Sequence, residues 1–281
     1  MSNRLDREEY VEQAYAFRTL RERIEEREPL QRVLAELKEE SLATTKFPMA
    51  IDFLLTELRH TGALASGMKR ISHYFTPFQA YLIDEAENER GRFDMRLALE
   101  ILRFDAQMRA DGASPTAVFV YCFECLCRNR LSYDRGIGAM APDPWYPPDW
   151  KTWIAEVRHR LGLLDLADMI FVRSQHYLTR KRLSEAEAPH AILFTEKEGR
   201  IALANRKKEP LYLFAALQRH LGYPTVPRNL PRLDDAVSLL GLQAKLSQLE
   251  TRMKMMEEEQ RAGAVDLEKL FPRDGVRPPR E

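Results

Sequence analysis

Ser114-Pro115-Thr116-Ala117-Val118-Phe119-Val120-Tyr121-Cys122-Phe123-Glu124-Cys125-Leu126-Cys127-Arg128 is the stretch that decides the fold. A Ser before a Pro marks a helix start. The hydroxyl accepts an early backbone N–H, and the fixed φ and missing N–H of proline suit the first turn. From Ala117 to Cys127 the chain runs eleven residues with Glu124 as its one charged group. A membrane span needs about 20 apolar residues, so this segment reads as a helix buried in a protein core. Glu124 then needs a partner, because an unpaired carboxylate is costly to bury. Arg128, four residues on, is placed to supply it, and Arg130, Asp134 and Arg135 extend the expected network.

The same grammar recurs upstream. Asp6 and Glu9 have capping-box spacing ahead of Tyr10, Ala14, Phe17 and Ile24, which fall near one stripe. Pro29 suits a first helical position before Leu30, Val33, Leu34 and Leu37. Pro48 opens a segment through Ile51, Leu54, Leu55 and Leu58 that Gly62 is placed to end. Thr76-Pro77 starts a helix carrying Phe78, Tyr81 and Leu82, and Asp94 caps one carrying Leu97, Ile101 and Leu102.

Downstream, four prolines in the seven residues Pro142–Pro148 break the helical run. Asp149 then serves as the expected cap of a helix bearing Trp150, Trp153, Ile154 and Val157, with Gly162 at its end. Asp165–Arg182 reads as one further helix, although Met169–Val172 also suits a strand. Ala191–Phe194 fits a lone strand or an extended segment, and Pro210–Leu221 a helix closed by Gly222.

The expected fold class is therefore mainly α. An irregular multi-helix domain over residues 1–223, with at most one short β element, precedes a Pro-rich linker over 224–232. A coiled-coil-like helix follows over 233–262, and then a flexible tail over 263–281 whose Val265, Leu267, Leu270 and Phe271 form a short apolar patch. The helix rests on Leu239, Leu242, Leu246, Leu249, Met253 and Met256, spaced 3-4-3-4-3 as an a/d heptad seam. Gln243, Lys245, Glu250, Arg252, Glu257 and Glu259 occupy the flanking e and g positions. One isolated helix cannot satisfy such a stripe in water, so it is expected to bury against a partner helix or a second copy.

Composition bounds the function classes. Lys plus Arg and Asp plus Glu number 43 each among 281 residues, so the formal net charge is zero. That balance argues against a chain-wide basic footprint for nucleic acid or an anionic membrane. The three cysteines fall within six residues, which excludes a disulfide framework of the secreted kind. With a charged N-terminal Met1-Ser2-Asn3-Arg4-Leu5-Asp6, this makes the reducing cytoplasm the expected location and a membrane an unexpected partner.

Three constellations invite chemistry. Cys122, Cys125 and Cys127 are one ligand short of a structural zinc site, and buried Cys behaves as a small hydrophobe. Glu57/His60 and Glu156/His159 are two Glu-x-x-His pairs, which with Glu124 and a first-helix carboxylate such as Glu12 or Glu36 follow the ligand order of ferritin-like di-metal bundles. Gly62 and Gly162 place both pairs in the last turns of their helices, where a histidine is favoured by the helix dipole alone. Arg180-Lys181-Arg182 and Arg206-Lys207-Lys208, beside Tyr177 and Tyr212, are short basic runs, offset by acidic residues at 185, 187, 196, 198 and 209.

The leading expectation is a non-enzymatic interaction or scaffold protein that needs no cofactor and self-associates through its C-terminal helix. A helix-bundle metalloenzyme using Glu57, His60, Glu124, Glu156 and His159 is the alternative. Nucleic-acid binding through the basic runs is third.

Overall fold

A computed structural model describes residues 4–88 and 93–228, together with 246, 247, 249 and 253. The chain divides into two units, Met1–Asn229 and Leu230–Glu281. Thirteen α-helices and no strand are found among the described residues of the first unit. None is long and apolar enough to cross a membrane.

The centre of the first unit is the segment that opens the sequence reading. It forms α7 (Pro115–Arg128), in which every residue from Thr116 to Leu126 is buried. A helix apolar on all sides has to be enclosed on all sides. Its neighbours are α6 (Met95–Ala110), α8 (Tyr133–Met140) and α13 (Pro210–Leu221). Ser114 caps α7 by accepting the Ala117 N–H at 3.2 Å, as its sequence position requires. Along α6 lies α1 (Arg7–Glu25), which joins the centre to α2 (Leu30–Glu40) and α3 (Phe47–Thr61). Two short helices, α4 (Leu64–Arg70) and α5 (Pro77–Glu87), then pack on each other and return the chain to α6.

The Asp6–Glu9 capping box does not form. Asp6 makes no side-chain cap bond, because Glu9 reaches across the fold instead. Its carboxylate accepts the Lys46 N–H at 2.8 Å and the Tyr74 hydroxyl at 2.7 Å. Nearby Glu12 accepts the Leu42 N–H at 3.4 Å, so α1 supplies carboxylates to the start of α3. By contrast Thr76 and Gln79 complete a full capping box on α5, and Asp94 caps α6. Gly62 and Gly222 close α3 and α13 in left-handed conformations with φ of 73° and 71°. Pro29 sits one residue before α2 and not within it.

The downstream half departs further from expectation. Helix α9 (Pro148–Arg160) begins on its own proline after Pro147, leaving Asp149 inside the first turn rather than capping it. Asp165–Arg182 is not one helix. It splits into α10 (Leu166–Val172), capped by Asp165, and α11 (Gln175–Lys181), capped by Ser174. Ala191–Phe194 forms no ladder. Its end is held by Leu193 and Phe194 N–H groups donating to the Arg173 carbonyl at 2.8 and 3.1 Å, and by one bridge between Ser174 and Phe194.

Helix α12 (Glu196–Ala204) follows directly, with Thr195 and Glu198 forming its capping box. It approaches the preceding turn so closely that a Cβ on Gly199 would sit 2.6 Å from Ser174 Cβ and 2.7 Å from His176 Cβ. An aromatic group binds this half to the centre. The Trp153 ring lies 4.8 Å from Phe119 and 5.0 Å from Phe194, centroid to centroid, both edge-on.

Candidate functional site

The structure does not bring the five expected metal ligands together. Glu57 is buried on α3 and accepts Arg70 Nη1 at 2.7 Å, while His60 is exposed in the last turn of that helix. Glu156 on α9 accepts Arg173 Nη2 at 2.7 Å, and His159 is again exposed at the helix end. Glu124 is 1% exposed and receives Arg128 Nε at 2.5 Å and the Tyr223 hydroxyl at 2.7 Å. Glu36 pairs with Arg32 on its own helix. Among the described residues no group of three or more His, Cys, Asp or Glu is arranged to hold a metal ion. The physical reason is visible at each carboxylate of the set, where a guanidinium already occupies the position a cation would take.

Arg128 is thus the partner that the i, i+4 spacing predicts for Glu124, and burial of the Tyr223 hydroxyl beside that carboxylate raises its pKa. The network does not extend as expected. Asp134 pairs with Arg158, and Arg135 turns to Asp84 and Glu85. The thiols are free. Burial pushes Cys122 and Cys125 well above the ordinary thiol range and Cys127 up to about 11, so the thiolate that metals and electrophiles need is suppressed at all three.

A polar cluster lies deep in the unit, and of its ion pairs only Asp105–Arg109, at i, i+4, is local in sequence. Arg109 on α6 donates through Nε to Asp105 at 3.0 and 3.1 Å, and through Nη1 and Nη2 to Asp143 at 3.2 and 2.8 Å. Burial works against the guanidinium, but the two carboxylates raise its pKa well above the ordinary value and keep it charged. Asp143 also accepts the Trp145 N–H at 2.8 Å, and Gln79 donates to Asp105 at 3.3 Å. The cluster therefore fixes the Pro142–Pro148 break against α6.

Two further sets of expected residues are placed in part. The first is the expected heptad seam. Leu246, Leu249 and Met253 are helical and 59–60% exposed, whereas Leu239, Leu242 and Met256 lie outside the described residues. So do the flanking positions 243, 245, 250, 252, 257 and 259, linker residues 229–232 and the whole 263–281 tail. The second set is the two basic runs, which the sequence leaves 24 residues apart. Lys181 and Arg206 line one cavity of about 450 Å³, together with Tyr177. Tyr212 is exposed elsewhere on α13. Arg160, Trp153 and Arg173, which face the same cavity, carry no motif that spacing could reveal.

No protein-family model matches the chain, and no curated protein or solved structure matches it either.

Proposed function

We propose that this chain is a non-enzymatic cytoplasmic interaction protein that associates with a second copy of itself through the C-terminal heptad seam. The observation that carries this reading is the exposure of Leu246, Leu249 and Met253, each helical and each 59–60% open to solvent. Large side chains left this open on one helix face lose most of the burial energy they can offer, about 1.5–3 kcal/mol apiece when fully enclosed. Their 3-4 spacing selects the occupant. A stripe repeating every 3.5 residues is complementary to another stripe of the same period, and a second copy supplies one at no loss of register. Charges of both signs at 245, 250, 252, 257 and 259 are suited to pairing across such a seam. Three free thiols accord with a reducing compartment.

Sedimentation velocity of the full chain and of a 1–231 truncation at micromolar concentration tests the proposal. A full chain heavier than one copy and a truncation that sediments as a monomer support it. Two monomers overturn it.

A further inference from the structure

The cavity shared by the two basic runs has an unbalanced charge and an apolar floor. Its floor is made by Trp153, Met169, Phe171 and Tyr177, and the Tyr177 ring stands edge-on to Phe171 with centroids 5.5 Å apart. Two of its walls are neutral pairs. Arg173 is clamped by Glu156 at 2.7 Å, and Arg206 is clamped by Asp168 while its guanidinium lies 6.0 Å from the Phe171 centroid. Arg160, Lys181 and His190 complete its charged and polar lining. Among the described residues neither Arg160 nor Lys181 has an ion-pair partner, and both are exposed.

Each of those two cations closes a helix, Arg160 at the end of α9 and Lys181 at the end of α11. The helix dipole accounts for a cation at either end. It does not account for both ends meeting over one aromatic-floored cavity. The cavity beside α4 and α5 shows the contrast: its Lys69 bonds to Asp84 and its Arg135 to both Asp84 and Glu85, so neither cation there lacks a carboxylate partner.

We infer that this cavity binds a small organic anion, a phosphate or carboxylate head carried on a flat apolar body. The volume of about 450 Å³ falls within the range of small-molecule sites, and its mix of apolar lining with a few fixed polar groups is the usual composition of one. The head is held between Arg160 and Lys181, with Arg206 as the near wall. The flat body lies on Phe171 and Tyr177. The clamped arginines do not reorganise when the ligand enters, because their carboxylates already fix them.

The test is titration of the full-length protein, followed by calorimetry and by tryptophan fluorescence, with four probes. These are 1-naphthyl phosphate, 1-naphthoate, neutral 1-naphthol and inorganic phosphate. One or both aromatic anions saturate one site per chain, at least about tenfold more tightly than 1-naphthol or inorganic phosphate, as two charge-assisted contacts require. The tighter of the two anions identifies the head group. Arg160→Gln with Lys181→Gln weakens that binding at least about tenfold, with an unchanged far-UV circular dichroism spectrum. Arg219→Gln, on the exposed end of α13, leaves it as it was. Absence of saturation by either anion up to millimolar concentration overturns the inference. So does equal binding of 1-naphthol, or a double variant that binds like the wild type.

Discussion

The Tyr223 hydroxyl donates to Glu124 Oε2 across 2.7 Å, joining the residue just past α13 to the centre of α7 over 99 positions of chain. Arg128 takes the other oxygen, so the charge that interrupts the most apolar helix is satisfied from two directions. Phenylalanine at position 223 keeps the ring, which packs edge-on at 6.1 Å from Tyr121, and removes only the donor. Tyr223→Phe is expected to cost about 1.5–3 kcal/mol, the range for a buried hydrogen bond to a charged group. Urea unfolding followed by circular dichroism reads this directly, and an unchanged midpoint shows that the contact contributes nothing.

Arg109 is the second buried anchor. Replacing it with Met leaves the carboxylates of Asp105 and Asp143 enclosed without a cation, a loss of about 3–5 kcal/mol. Arg109→Met is predicted to lower the unfolding midpoint more than Tyr223→Phe does. A triple replacement of Arg109, Asp105 and Asp143 by apolar residues of similar size recovers part of that loss, since it also removes the buried charges.

The cysteines provide a check on burial. With Cys127 pushed up to about 11 and Cys122 and Cys125 raised well above the ordinary thiol range, little thiolate is present at pH 8. A disulfide-exchange thiol reagent is expected to modify the native protein slowly and to titrate all three thiols rapidly once guanidinium unfolds it. Fast native reaction of Cys122 or Cys125 contradicts their placement inside α7.

Glu196 carries a pH signature. A hydrogen bond from His176 at 2.7 Å, reinforced by Arg200 at 3.0 Å, holds its carboxyl below the ordinary 4.5. Because the folded-state pKa is depressed, the stabilisation is present above the ordinary value and is lost as the pH falls through the folded-state value. Carboxyl-carbon NMR titration places the Glu196 midpoint below 4.5, and His176→Ala moves it upward. A Glu196 midpoint already at the ordinary value removes the α11–α12 contact from the account.

Legibility in the sequence followed the range of the interaction. Caps whose partner lies two or three residues away, such as Thr76, Asp94 and Ser114, were readable because the bond closes within one turn. Thr195 and Glu198 carry the same signal for α12, set among charged neighbours that share its residue types. Glu9 misled for the opposite reason, since its partners Lys46 and Tyr74 lie 37 and 65 positions away. Met169–Val172 reads as strand or helix on apolarity alone, and only the Asp165 cap and the Phe194 contacts decide for a short helix. The two Glu-x-x-His pairs were visible, but nothing local reveals that Arg70 and Arg173 already occupy their carboxylates. The cavity was half visible: the basic runs named Lys181 and Arg206, whereas Arg160 and Trp153 join them only through the packing of α9 against the turns that follow.

Self-association is tested most directly by sedimentation velocity on the full chain and on the full chain carrying Leu246→Asp, Leu249→Asp and Met253→Asp. All three positions are exposed, so the changes leave the helical core of the first unit intact. The unaltered protein is predicted to sediment at micromolar concentration as more than one copy, and the triple variant as a single copy. A single copy in both samples, or the same assembly in both, contradicts the proposed seam.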